Sequence, residues 1–459
     1  MSQRYDAIVI GTGQAGPALA ARLAAAGMKV AILERGKVGG TCVNTGCIPT
    51  KTLIASAAVA RAAQRAAEFG ISTAGAVSVD MKKVKARKDE ISGGTSRDNE
   101  EWLRGLENVT LVKGHARFES PREVRVGDAV LSAEKIFINV GGRAATPAAI
   151  GGLGEVPFWT NSSIMDVDFV PPHLVIIGGS YIGLEFAQMY RRFGSAVTVI
   201  EMSPRLLARE DPDVSEAIRA IIENEGITVR TNAKCITLEK GPAGVRAGVD
   251  CQEGSPMIDG SHLLLAVGRV PNTNDLGLDR AGVKTDARGY IAVDDQLRTN
   301  VEGIWALGDC NGRGAFTHTA YNDFEIVAAN LLDHDPRRVT DRIDTYALFI
   351  EPPLGRAGMT ETAAKAAGKK ILVGKRPMTK VKRAVEKGET QGFMKVVVDA
   401  ESKQILGAAI LGTGGDEVVH VILDVMYARA PYTLIQRAMH IHPTVSELLP
   451  TVFGELQPA

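Results

Sequence analysis

Two cysteines stand five positions apart in the stretch Gly39-Gly40-Thr41-Cys42-Val43-Asn44-Thr45-Gly46-Cys47-Ile48-Pro49-Thr50-Lys51. Thiols that can meet can exchange with a disulfide, one attacking and the other resolving. In a regular helix such positions lie about 7.5 Å apart along the axis, beyond disulfide reach, so the backbone here is expected to be distorted. Gly39, Gly40 and Gly46 supply the conformational freedom. Pro49 lacks an N–H and is expected to discourage an uninterrupted helix. Lys51 places a cation near the second sulfur, and a positive field favours the thiolate. A zinc site would need a second cysteine or histidine pair at ligand spacing; the sequence has none, and no metal is expected. Cys235, Cys251 and Cys310 are scattered, so five cysteines in 459 residues make no secreted disulfide framework.

A second group that could move protons is His440-Ile441-His442-Pro443-Thr444-Val445-Ser446-Glu447. Histidine titrates near neutrality, and a carboxylate such as Glu447 can orient the ring of His442. His440 has no assigned role.

These groups need elements to position them. The chain opens as a strand, Tyr5 to Ile10, followed by a helix from Pro17 to Ala26, a stop at Gly27 and a strand from Lys29 to Glu34. Between strand and helix, Gly11-Thr12-Gly13-Gln14-Ala15-Gly16 fills the pattern G-x-G-x-x-G. Gly13 lets the backbone approach a pyrophosphate, and the helix N-terminus offers free N–H groups. Glu34, at the end of the second strand, can bind ribose hydroxyls. Pro17 costs nothing in the first helical turn. A second copy runs from Leu174 to Ile177, through Gly178 to Gly183, along a helix to about Phe193, past Gly194 and into Ala196 to Glu201. Ser180 replaces its middle glycine. Glu201 favours NADH over NADPH, because it would repel a 2′-phosphate; Arg205 and Arg209 weaken that preference.

A helical, charged stretch covers about Thr52 to Leu106, and short strands run from Val109 to Asn139. Beyond Gly303 an apolar strand ends at Gly308 and Asp309, followed by a helix from about Thr319 to Leu332. A charged linker, His334 to Asp344, leads to strands at Lys395 to Val398 and Leu406 to Leu411. The expected fold is α/β: two Rossmann-like dinucleotide-binding domains plus a C-terminal α+β dimerisation domain. The first dinucleotide-binding domain is expected at 1–145 and 271–338, the second at 146–270 and the C-terminal domain at 339–459. Lysine plus arginine and aspartate plus glutamate both number 53, so no global field favours nucleic acid or a membrane surface. Met1 to Asp6 are polar and Ala7 to Ile10 is too short for a signal or spanning segment, which predicts a cytoplasmic protein.

The glycine fingerprint, Glu34 and GGTCVNTGCIPTK resemble the class I pyridine nucleotide-disulfide oxidoreductases, a family that includes dihydrolipoamide dehydrogenase, glutathione reductase and mercuric reductase. The resemblance spans essentially the whole chain. It implies FAD at Gly11, Gly13, Gly16, Glu34, Gly40 and Thr41, and NAD(P)H at Gly178, Gly183 and Glu201 with Tyr181 covering the nicotinamide. Cys47 would contact the flavin as the charge-transfer thiolate, Cys42 would be the interchange thiol, and Lys51 would lie near flavin N5, paired with Glu185. Thr299 to Asp309 (TNVEGIWALGD) resembles the second FAD motif, with Asp309 on the ribitol, and Gly268-Arg269-Val270-Pro271-Asn272 resembles the junction between the two nucleotide-binding domains. His442 with Glu447 resembles the acid–base dyad, which in the family serves the cysteines of the other subunit and so implies a homodimer.

The implied reaction runs from NAD(P)H through FAD and the Cys42–Cys47 disulfide to a small disulfide or dithiol such as lipoamide. Phe316-Thr317-His318-Thr319-Ala320-Tyr321-Asn322-Asp323 is similar to the mercuric reductase branch, which brings in mercuric ion or hypothiocyanous acid as alternatives. The final Phe453-Gly454-Glu455-Leu456-Gln457-Pro458-Ala459 lacks a vicinal cysteine pair, which argues against efficient mercury reduction. An alternative of another class is a subunit acting mainly by docking on a multienzyme complex, for which no docking element is visible.

Overall fold

The computed structural model describes residues 3–73, 75–250 and 256–459, with the backbone alone at 235 and 250; Cys251 lies outside them. Ala7–Ile10 is apolar at every position and wholly buried, as strands covered by helices on both faces must be. It pairs in parallel with Val30–Glu34 on one side and Lys135–Ile138 on the other. Val109–Lys113 and Ile304–Ala306 complete a five-stranded parallel sheet. The strand nearest the C-terminal half therefore returns to the sheet begun by the first residues. Of the strands read between Val109 and Asn139, only the outer two join this sheet. The inner three pair with Gln3–Arg4 in a separate four-stranded sheet.

The second unit is a four-stranded parallel sheet in the order Thr228–Arg230, Ala196–Ile200, His173–Ile177, His262–Leu265. An antiparallel ribbon, Gly142–Ala144 with Arg269–Pro271, ties the chain where it leaves the first unit to where it comes back. The last part is a six-stranded antiparallel sheet built around Phe393–Asp399 and Ile405–Leu411, packed on the helix Gly415–Tyr427 through Val418, Val419 and Ile422.

Two boundaries differ from the sequence reading. The helix expected from Thr319 begins at Thr317 and ends its α-helical part at Ala328, because Thr319 Oγ1 accepts from Phe316 N, capping a start two residues earlier. The first fingerprint helix begins at Ala15, with Pro17 inside the first turn, where no N–H is needed.

A polar seam joins the second unit to the C-terminal sheet. Lys395 Nζ lies 3.1 Å from Asp211, 3.1 Å from Asp213 and 2.7 Å from Glu361. Arg356 Nε lies 3.0 Å from Glu210, and Arg192 binds Glu225 at 2.7 Å and also reaches Glu351. Lys395, Asp211, Arg356, Glu210 and Arg192 are all buried. Buried charges must be paired in this way, since an unpaired one would cost several kcal/mol.

Candidate active site

Gly11 follows its strand with φ +107°, and a Cβ there would fall 2.3 Å from Asn139 O. A Cβ on Gly16 would fall 2.2 Å from Gly11 O, so only glycine lets this helix approach the loop. Glu34 Oε2 accepts from Thr12 N at 3.1 Å and Thr12 Oγ1 at 2.5 Å, and Oε1 accepts from Gly36 N at 2.7 Å. Three donors thus fix the carboxylate at the strand end. Beneath the loop the buried Asn139 has an Nδ2 with no hydrogen-bond partner, 3.4 Å from where a Gly13 Cβ would sit. The helix N-terminus has no side-chain cap. Free N–H groups, an unpartnered amide, a bare Gly13 and a fixed carboxylate together fit the pyrophosphate and ribose of a dinucleotide.

Thr12 also anchors the redox stretch, since its Oγ1 accepts from Gly39 N at 3.2 Å. A Cβ on Gly40, which has φ +60°, would lie 2.7 Å from Gly13 Cα. Cys42 sits in the short helix Gly40–Asn44. Thr45 and Gly46 break the path, and Cys47 opens a new helix, Cys47–Gln64. Pro49 therefore does not interrupt a helix here: it lies in the first turn of an unbroken one, where its missing N–H has no acceptor to lose. The distortion needed to bring the cysteines together falls at Thr45 and Gly46 instead.

Both cysteines are thiols in this structure, Cys42 half-buried and Cys47 exposed. Cys47 Sγ lies 3.0 Å from Thr317 Oγ1. The Cys47 thiol is lowered to about 6 by hydrogen bonding from Cys42, then by Thr317 and the charge of Lys51, against burial. The Cys42 thiol is raised strongly by the same contact with Cys47 and by burial, against a smaller lowering by Thr317. One sulfur is thus set to carry charge and the other a proton. Lys51 Nζ binds Glu185 Oε2 at 2.6 Å and lies 4.4 Å from the centroid of Phe349. Glu185, buried on the second fingerprint helix, also accepts from Phe349 N at 3.0 Å.

The second loop repeats the first. A Cβ on Gly183 would fall 1.9 Å from Gly178 O, and one on Gly178 (φ +115°) would fall 2.4 Å from Ala266 O. Glu201 accepts from Gly179 N at 2.6 Å and Ser203 N at 2.7 Å. Tyr181 opens this helix, its ring centroid 5.5 Å from that of Phe316, and burial raises its hydroxyl.

Asp309 lies in a turn after Ile304–Ala306, 3.6 Å from Arg269 Nε; burial pushes its carboxyl up. Gly268 has φ +115° with open space where a Cβ would point. His442 Nδ1 lies 2.9 Å from Glu447, and the histidine is 74 % exposed. Among the described residues no hydrogen bond joins it to Cys42 or Cys47. It stands beside Met439 and Ile441, which are 99 % and 79 % exposed.

Three residues escaped the sequence reading as site residues. Thr317 lies in a stretch whose sequence signal is a branch resemblance, and Arg269 in one that resembles a domain junction, although its guanidinium sits between Asp309 and Thr41. Asn139 could have been noticed as an amide ending an otherwise apolar strand.

Residues 5–323 match the family model described as pyridine nucleotide-disulphide oxidoreductase, and 345–453 match that family's dimerisation domain. A probable pyridine nucleotide-disulfide oxidoreductase, RclA of Escherichia coli, is 34 % identical, the match covering 98 % of this chain and 99 % of the relative. A dihydrolipoyl dehydrogenase of Thermus scotoductus is 34 % identical over 96 % of this chain and 95 % of its own. A mercuric reductase of Streptomyces lividans is 33 % identical over 97 % and 94 %. A solved structure of the Escherichia coli protein, described as an HOCl-induced flavoprotein disulfide reductase, superposes with a TM-score of 0.89 at 34 % identity, covering 98 % of this chain and 99 % of that one.

Proposed function

Because the chain belongs to the class I pyridine nucleotide-disulfide oxidoreductases, FAD enzymes that take electrons from NAD(P)H to a redox-active disulfide, we propose that Cys42 and Cys47 are that disulfide and that its acceptor is a small disulfide or a sulfur-directed oxidant. The observation that carries this reading is the break at Thr45 and Gly46 between the short helix holding Cys42 and the helix that Cys47 opens, with Thr317 Oγ1 3.0 Å from Cys47 Sγ and Lys51 held by Glu185; the directions of the two thiols, Cys47 lowered and Cys42 raised, agree with it. FAD, when bound along Gly11–Gly16, Glu34, Gly40, Thr41 and Asp309, supplies the two-electron relay between nucleotide and sulfur. Lys51, held by Glu185, keeps positive charge beside Cys47. Cys42 faces the acceptor and needs a base, which His442 oriented by Glu447 provides from a second copy of the chain. The match of residues 345–453 to the family's dimerisation domain supports the homodimer, and the exposed Met439 and Ile441 beside that histidine are available to an interface. The division into FAD-binding (1–145, 271–338), NAD(P)-binding (146–270) and dimerisation (339–459) parts is supported by the two parallel sheets and the C-terminal antiparallel sheet, with the ribbon Gly142–Ala144 and Arg269–Pro271 straddling the boundaries between the first two parts.

NADH is the favoured donor: Glu201, fixed by two amides, would hold its ribose hydroxyls, and Gly178, Gly183 and Gly268 would let the backbone come close to it. The nature of the RclA and mercuric reductase relatives supports an oxidant or thiol-reactive acceptor alongside lipoamide-like disulfides. Among the described residues no helix is long and apolar enough to cross a membrane.

One equivalent of NADH under anaerobic conditions is expected to raise a long-wavelength absorbance band that Cys47→Ser abolishes. As pH falls through about 6 the Cys47 sulfur gains a proton and the band fades. Turnover unchanged by Cys42→Ser would overturn the reading.

A further inference from the structure

The sequence motif around Phe316 has no part in the reaction as described so far, yet it delivers a hydroxyl to the reactive sulfur. Thr317 is the first residue of the helix Thr317–Ala328, and its Oγ1 lies 3.0 Å from Cys47 Sγ although the two are 270 positions apart. Cys47 is likewise the first residue of its own helix, 18 residues long. Two helix N-termini therefore converge on one sulfur, each adding partial positive charge, and a hydroxyl bridges them.

The hydroxyl is held rigidly. On one side Phe316 stacks on Tyr346 at 5.6 Å with an interplanar angle of 3°, and meets Tyr181 at 5.5 Å. On the other, His318 Nε2 lies 2.8 Å from Thr345 O and its ring stacks on Phe316. Tyr346 is in turn anchored by its hydroxyl on Glu210 at 2.5 Å. Side chains from all three parts of the molecule thus fix the backbone that carries Thr317.

We propose that Thr317 is a catalytic hydrogen-bond donor to the Cys47 thiolate of the reduced enzyme, acting with Lys51 to hold the charge on that sulfur. Reduction breaks the Cys42–Cys47 bond with two electrons from the nucleotide and takes up one proton, leaving one thiol and one thiolate. Thr317 transfers no proton; a thiolate can only accept, so the hydroxyl 3.0 Å from Cys47 Sγ donates to the anion there, while the proton stays on Cys42, which Cys47 raises more than Thr317 lowers it. A donor to the charged form stabilises it. The other ionisable groups around Cys47 are Cys42, Lys51, Glu185 behind Lys51, and Tyr181. Lys51 is neutralised in part by its carboxylate partner, which leaves the hydroxyl a larger share in stabilising the thiolate. This inference rests on the proposed role of Cys47.

The test is a pH titration of the thiolate absorbance of reduced, FAD-loaded protein, with flavin content measured for each variant. Thr317→Val keeps the shape and removes the donor; its midpoint is expected to rise by about one unit, and Thr317→Ser is expected to titrate like the parent. If Thr317→Val does not hold flavin, Thr317→Ala is titrated in its place, with the same rise expected. A parent protein with no thiolate signal removes the reading of Cys47 itself. A normal parent signal whose midpoint the valine or alanine variant leaves unmoved overturns the role of Thr317 alone, as does a serine variant shifted as far as valine.

Discussion

The two glycine loops are built to one plan and differ in what lies beneath them. In each, a strand-end glutamate accepts from the amide of the loop's second residue and from an amide two residues beyond itself. In each, a last glycine stands where any side chain would strike the carbonyl of the first. The first loop adds a threonine hydroxyl on its glutamate, a buried amide from Asn139 and the backbone of the redox stretch pressed against Gly13. The second has Gly179 in place of Thr12, Ala266 O beneath its first glycine and an exposed Ser180. More fixed polar groups and a covering segment suit a group that stays; fewer, with an open face, suit one that exchanges every turnover.

That contrast breaks first under bulky substitution. Gly16→Val is expected to give protein without flavin, whereas Gly183→Val keeps its flavin yet loses about 100-fold in kcat/KM for NADH, the scale of a misplacement near 1 Å. Flavin content and steady-state rates check both, and flavin loss from Gly183→Val would show that the loops are not independent. Next, Glu34→Gln removes a charged acceptor from three donors and is expected to weaken FAD about tenfold by apoprotein titration. Glu201→Gln should raise KM for NADH by a similar factor while leaving that for NADPH nearly unchanged, because the lost charge also repelled the 2′-phosphate. Equal losses for both nucleotides would remove Glu201 as the discriminator. The smallest effect belongs to Ser180→Gly, expected to lower KM for NADH by less than about threefold, since the serine already has an ordinary extended backbone.

Both loops were legible in the sequence because their demands are local: a turn, a close approach and a carboxylate one strand later leave marks within a short window. The same holds for His442 with Glu447, five positions apart. Thr317 was not legible as a partner of Cys47, because the contact is made only after a strand from the far half of the chain enters the first sheet. Asn139 belongs to the same class, its meaning set by a loop more than a hundred positions earlier. Pro49 misled for a different reason. Proline forbids a helix interior but is welcome in a first turn, and its effect could not be read without knowing that Cys47, rather than Thr52, starts the helix.

The seam of Lys395, Asp211, Asp213 and Glu361, with Arg356 on Glu210 and Arg192 between Glu225 and Glu351, bears on how quickly the site can open. Directional ties among buried charges do not slide; shifting the second unit against the C-terminal sheet would strip several of them at once. Swings of whole domains run on microseconds to milliseconds, whereas a side chain turns in picoseconds to nanoseconds. With the seam closed, and with Tyr181 covering the nicotinamide as the family resemblance implies, entry of that ring would need only a single aromatic resting on Phe316 to turn, and the slow clock of a hinge would not limit each electron pair.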